Sequence, residues 1–186
     1  FSFCVPLPVR ACENKNTLRI SFFPLMWTQP GKWLVEPVQT TPEDERAARE
    51  SVLRVVEPVM NRLDIFHRLP GVIITPFIIS PYQEPDKEPG YKVGGWYSHK
   101  FISVVLSRWV IDQGDEVIRY VFSHELGHWA WGFLTDEERE EYKSIAGELN
   151  LDDIKICVIY GIEPDYLIQD WFAEDFRFYA CGVEGR

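Results

Sequence analysis

Apolar positions recur with different periods along this chain, and each change of period marks an element. Leu18, Ile20, Phe22 and Phe23 lie in a stretch from Thr17 to Met26 that reads as a strand. A loop with Pro30 and Gly31 follows. Thr41-Pro42-Glu43-Asp44 opens a helix, with Thr41 as its cap and Pro42 at the first helical position, where a missing N–H costs nothing. Ala48, Val52, Val55, Val56 and Met60 supply its apolar side, to about Phe66, and Pro58 is expected to kink it or end it early. Val72 to Ile79 is β-branched and apolar, the pattern of a strand buried on both faces.

Pro81 to Gly95 is rich in proline, glycine and charge, and so predicts a loop. Strand character resumes from Trp96 to Leu106. Asp112 to Asp115 offer caps for a helix running to about Trp131, with Gly132 as its stop. Thr135 and Glu138 form a capping box for a further helix to about Leu149. A last helix is expected over about Asp165 to Ala180. Strands and one backing helix thus precede a helical C-terminal part, which is an α+β arrangement. The length suits one domain, 1–186, with an upper lobe over about 1–132 and a helical lower lobe over about 133–186.

Composition narrows the functional classes. Hydrophobic content of 46% with 15% aromatics argues for a folded globule. A net charge of −10 argues against nucleic acid as the main partner, because phosphate recognition needs a basic surface. No apolar run has the length of a membrane span. Cys4, Cys12, Cys157 and Cys181 permit two disulfides in three connectivities, and their spacing lacks the close CxxC of a cysteine zinc site. A thiolate from Cys4 or Cys12 silencing a metal stands behind ordinary disulfide or buried-thiol roles. The chain begins at Phe1 without methionine, so an upstream piece such as a removed signal peptide is expected, and the localisation leans to secreted.

The run His124-Glu125-Leu126-Gly127-His128 carries the chemistry. Positions four apart share a helix face, so both imidazoles can bind one metal ion. Glu125 is rotated by about a quarter turn, from where its carboxylate reaches a water rather than the metal. That pattern fits zinc-assisted hydrolysis with Glu125 as general base. The competing reading is an ordinary core face, since Val117, Val121, His124, His128 and Trp131 form one stripe. Two buried imidazoles would still need partners, and the adjacent carboxylate would be a coincidence.

A third ligand has to come from farther along. Position 134, where a metzincin has histidine, is leucine. Asp170 and Glu174 lie one turn apart on an otherwise apolar helix, where a dication would compensate their charge. The plainer alternative pairs Glu174 with Arg177 on a solvated face. His99, in the strand region, is read as an ordinary strand or surface residue.

The two motifs together, His-Glu-Leu-Gly-His and Asp170-Trp-Phe-Ala-Glu-Asp-Phe-Arg-Phe-Tyr179 some forty residues later, resemble those of the gluzincin metallopeptidases. The resemblance is closest to the catalytic domain of anthrax lethal factor and its small single-domain relatives. It rests on some fifteen residues and on their order and separation. It implies a zincin-like fold, in which a mixed sheet with a backing helix lies above an active-site helix, followed by a helical C-terminal lobe. It also implies a zinc endopeptidase whose edge strand pairs with extended substrate, bound to Zn2+ and acting on protein or peptide as a monomer. The family's third ligand is a glutamate, and Asp170 stands in its place here. A shorter side chain requires the helix to lie closer to the metal or the metal to shift, so Asp170 is assigned first and Glu174 second, as a ligand or as a support for a histidine. The family carries a tyrosine a few residues before that ligand. Tyr166, four residues before Asp170, is the candidate donor to the oxyanion, with simple packing of the helix start as its alternative, and Tyr160 lies farther away. The competing function is a latent or non-enzymatic metal-binding or partner-binding module, against which an intact Glu125 counts.

Overall fold

Two parallel β-branched strands form the centre of the sheet, because both of their faces are covered and neither tolerates polar alternation. The computed structural model describes residues 20–22, 33–63, 70–81, 92–160 and 163–183. Its strands are β1 (Ile20–Phe22), β2 (Trp33–Pro37), β3 (Gly71–Thr75), β4 (Phe77–Pro81), β5 (Gly95–Ser98) and β6 (Ser103–Ser107). Four of them form a sheet in the order β1-β3-β6-β5, with β3 parallel to both neighbours and β5 antiparallel at the edge. Val72 stands opposite Val104 and Ile74 opposite Leu106, and all four are buried.

The single strand expected over 72–79 is two strands in two sheets. Pro76 has no N–H for a ladder, so β3 ends before it. The chain turns there, with the Val38 N–H donating to the Pro76 carbonyl at 2.8 Å, and β4 pairs antiparallel with β2 in a separate two-stranded ribbon. The stretch 96–106 is likewise a hairpin. It turns at 99–102, where Ile102 takes a positive φ of 47°.

The helices are α1 (Pro42–Leu63), α2 (Arg108–Gln113), α3 (Asp115–Trp131), α4 (Asp136–Ala146), α5 (Leu151–Tyr160) and α6 (Pro164–Asp175), the last continuing into a π-helical turn, Phe176–Ala180. Thr41 caps α1 as expected, its hydroxyl accepting from the Asp44 N–H at 3.1 Å while the Asp44 carboxylate accepts the Thr41 N–H. Pro58 neither ends nor breaks this helix. Pro58 takes the usual donor from the Arg54 carbonyl, and both residues are exposed, on the face of α1 opposite its buried valines. The expected end at Phe66 lies outside the described residues, as do the flanks of the strand expected over 17–26, the loop at Pro30 and Gly31, and most of the loop over 81–95.

Capping of α3 differs from expectation. Gly114, at φ 93°, occupies the N-cap without a side-chain bond. Asp112 instead pairs with Arg108, and Asp115 pairs with Arg54 and Ser51, tying the start of α3 to α1. The Thr135–Glu138 capping box is present, but α4 stops at Ala146, before Gly147 at φ 92°. The helix α5 was not expected. The Asn150 side chain caps it by accepting from the Asp152 and Asp153 N–H groups.

The described residues therefore form an α+β structure with a small mixed sheet and six α-helices. Its core lies between the sheet, α1 and α3, where Val52, Val55 and Val56 meet Ile74, Leu106 and Phe122. No described helix is long and apolar enough to cross a membrane. Cys157 and Cys181 are buried free thiols, and Cys4 and Cys12 lie outside the described residues.

Candidate metal centre

The helix α3 has two occupied faces, and the histidines are not on the core one. Ile118, Phe122, Leu126 and Trp129 form the stripe packed into the core. His124 and His128 lie away from that stripe and retain some exposure, 16% and 10% of their side chains. Of the stripe read from the sequence, Val117 and Val121 pack against the core and Trp131 is buried, while the two histidines lie outside the core cluster and have Asp170 and Glu174 as polar partners. Their rings meet edge to face with centroids 5.0 Å apart, and the two Nε2 atoms are 3.3 Å apart.

Opposite this face runs α6. Gly127 makes the approach possible, since a Cβ there would lie 2.4 Å from the Ala173 Cα. Only a glycine allows the two backbones to touch at this level. One Asp170 carboxylate oxygen lies 3.2 Å from the His124 Nε2 and 3.5 Å from the His128 Nε2. His124, His128 and Asp170 each offer one ligand atom, all within 4.8 Å of one another, a group that could hold a metal ion. Two imidazole nitrogens and one carboxylate oxygen form a donor set suited to zinc and related dications.

Glu174 is placed differently. Its Oε1 accepts from the His124 Nδ1 at 2.7 Å and from the Tyr120 hydroxyl at 3.1 Å. Its other oxygen accepts from Arg177, Nε at 3.0 Å and Nη2 at 2.5 Å. The Arg177 pairing read from the sequence is thus real, with Arg177 itself buried at 5% exposure while the Glu174 and Asp170 side chains keep 36% and 43% of theirs. Glu174 stands behind His124 and outside the ligand group.

These groups reset one another's proton affinities. Burial lowers that of His124, but the surrounding carboxylates of Asp170, Glu125 and Glu174 outweigh it and raise its pKa to about 9. Burial would raise Asp170, but hydrogen bonds from His124 and His128 hold it far below the usual carboxylate range. Glu125 is 7% exposed, and burial pushes its pKa up against the lowering effects of His128, His124 and a hydrogen bond from the Tyr97 backbone on β5.

Tyr166, on the first turn of α6, stacks on His128 with centroids 5.7 Å apart and planes 19° apart. Tyr166 keeps 51% exposure, and the partial desolvation of its phenol together with the Glu125 and Asp170 charges pushes the pKa up to about 12. His99 meets Tyr97 edge to face at 4.8 Å and is exposed. Tyr120, Arg177 and Tyr97 were not singled out as site groups from sequence. Tyr120 had a readable signal, since it lies four residues before His124 on α3. A cavity of about 250 Å³ lies between the end of α3, α4 and α6, lined by Trp131, Arg139, Lys143, Asp165 and Gln169 among others, and contains none of the three ligand residues. Comparison of the chain with protein-family models, with curated proteins and with solved structures finds no significant match.

Proposed function

We propose that this chain is a zinc-dependent endopeptidase of the gluzincin kind, with a zincin-like fold. The observation that carries the reading is the convergence of His124, His128 and Asp170, with Glu125 buried on the adjoining face of the same helix. Zinc held by those three residues would supply Lewis acidity, making water a stronger acid and a peptide carbonyl a better electrophile.

The chain's own residues do the rest. Glu125 accepts the proton of the water that adds to the scissile carbonyl, then delivers it to the departing nitrogen. A carboxylate whose burial raises its proton affinity suits both steps. Tyr166 keeps its proton at neutral pH and donates a hydrogen bond to the oxygen that gains charge. The Glu174 carboxylate accepts the His124 Nδ1 proton, which leaves Nε2 as the ligand atom. β5 is the antiparallel edge of the sheet beside α3, and its Tyr97 backbone touches Glu125. An extended substrate that paired with this edge would run past the general base. This arrangement supports catalysis over a closed structural site, which has no use for a buried carboxylate next to its ligands.

The test is the Glu125→Gln variant. The amide keeps the size of the side chain but cannot take the proton, so zinc content should stay at the wild-type level while cleavage of an unfolded protein falls about 10²–10⁴-fold. Loss of zinc in this variant, or undiminished cleavage, would remove Glu125 from the role.

A further inference from the structure

Arg177 is a buried guanidinium at the first turn of the π-helical segment, and every one of its contacts leads toward or away from the candidate metal centre. Two of its nitrogens grip the same oxygen of Glu174. Its plane lies over the Tyr120 ring, 4.4 Å from the centroid, and Tyr120 itself donates to Glu174. Its remaining terminal nitrogen donates to the carbonyl of Val183. The Val183 N–H returns a bond to the Arg177 carbonyl at 3.1 Å, so side chain and backbone of the two residues close a ring.

The segment 180–183 is in turn fastened to α1. The Arg62 guanidinium donates to the Ala180 carbonyl at 3.1 Å. Gly182 has a φ of +66°, and a Cβ there would lie 2.6 Å from the Arg62 guanidinium. A π-helical turn is a costly local geometry, and such turns recur where a side chain must be re-aimed. Here it contains Arg177 and runs directly into the partner segment.

We infer that Arg177 is a positioning residue, which with the tail segment 180–183 locks Glu174 and thereby orients His124 toward the centre. The inference rests on the proposed metal-site reading and names a part of that site beyond its ligands. Physically, a carboxylate with only the His124 contact could swing toward Asp170 and the ligand atoms. The two-pronged guanidinium contact fixes its rotamer, and the Val183 carbonyl and Tyr120 ring fix the guanidinium. The centre is then anchored through Glu174, Arg177, 180–183 and Arg62 to the far end of α1.

The experiment measures zinc affinity by chelator competition, with folding monitored by circular dichroism. Arg177→Lys keeps the charge but loses the fork, and should weaken zinc about 10–100-fold at unchanged stoichiometry. Gly182→Ala, which touches neither Arg177 nor Glu174, should weaken it at least about threefold. The neutral double variant Glu174→Gln with Arg177→Met avoids an unpaired buried charge and should bind zinc within about threefold of Glu174→Gln alone, because Arg177 acts through Glu174. Folded Arg177→Lys and Gly182→Ala proteins with wild-type affinity would overturn the inference. A wild-type protein that binds no zinc would instead sink the metal reading. In that case metal-free crystal structures decide: Arg177→Lys should lose the contact between the His124 Nδ1 and Glu174 that wild type keeps at 2.7 Å, and its survival in the variant would overturn the positioning role.

Discussion

Asp170 and Glu174 are one helical turn apart, and the structure gives them different work. Asp170 points an oxygen between the two Nε2 atoms, whereas Glu174 takes the Nδ1 proton of His124. Asp170→Ala should therefore abolish tight zinc binding, as should His124→Ala or His128→Ala, while Glu174→Ala should cost about 10–100-fold in affinity. Metal titrations of the four variants check this, and zinc loss in Glu174→Ala with retention in Asp170→Ala would reverse the assignment. The raised His124 pKa makes a second prediction. A group whose folded pKa is raised stabilises the fold fully below its unfolded value, near 6.5, and loses that contribution as pH rises through about 9. The metal-free protein's advantage in melting temperature over His124→Gln should then shrink from pH 6 to pH 10. An advantage that stays constant or grows over that window contradicts the assignment. Sequence alone could name both acids but not divide them, because the division depends on how close α6 comes to α3.

At the scale of elements, that approach is set by Gly127 against Ala173. Gly127→Ala inserts a methyl group where backbone already stands, so α3 and α6 must part. Overpacking of this kind costs about 1–3 kcal/mol, and zinc affinity should fall with it because Asp170 retreats from the imidazoles. Thr135→Ala provides the contrast. Loss of that cap costs about 1 kcal/mol, far from the ligands, and should leave affinity unchanged. Denaturant melts alongside zinc titrations of the two variants separate the effects, and equal affinity in both would remove the role given to Gly127.

The long helices were legible because cap and 3.6-residue periodicity agree in α1, the capping box alone marks α4, and in α3 the motif and its apolar residues carried the reading although the expected aspartate caps did not form. What was not legible has physical reasons. The run 72–79 is β-branched and apolar on both sides of Thr75 and Pro76, so it reads as one strand unless Pro76, which cannot donate to a ladder, is taken as the break. The turn after Ser98 is made by Ile102 at positive φ, a conformation that its β-branched side chain does not advertise. In α5 Leu151, Ile154 and Val158 keep helical spacing, but Ile156, Cys157 and Ile159 place apolar residues on other faces and blur it, so the capping residue Asn150 was the clearer signal.

Across the whole molecule, the sheet with α1 on one side and the α6 helix on the other both meet at α3, and the candidate centre lies on the one helix they share. Ties at the start and in the middle of α3 bind it to its neighbours, through Asp115 to Arg54 on α1 and through His124 to Glu174 on α6. This explains how two motifs some forty residues apart in sequence form one site, and why the ligand triad does not depend on a flexible loop. The central claim is that the assembled site hydrolyses peptide bonds with a metal's help. Cleavage of an unfolded protein substrate, followed before chelation, after chelation and after zinc is returned, tests that claim most directly. The account predicts cleavage that chelation abolishes and one equivalent of zinc restores. Cleavage that persists with the metal removed, or a protein that carries one zinc and cuts no substrate, would contradict it.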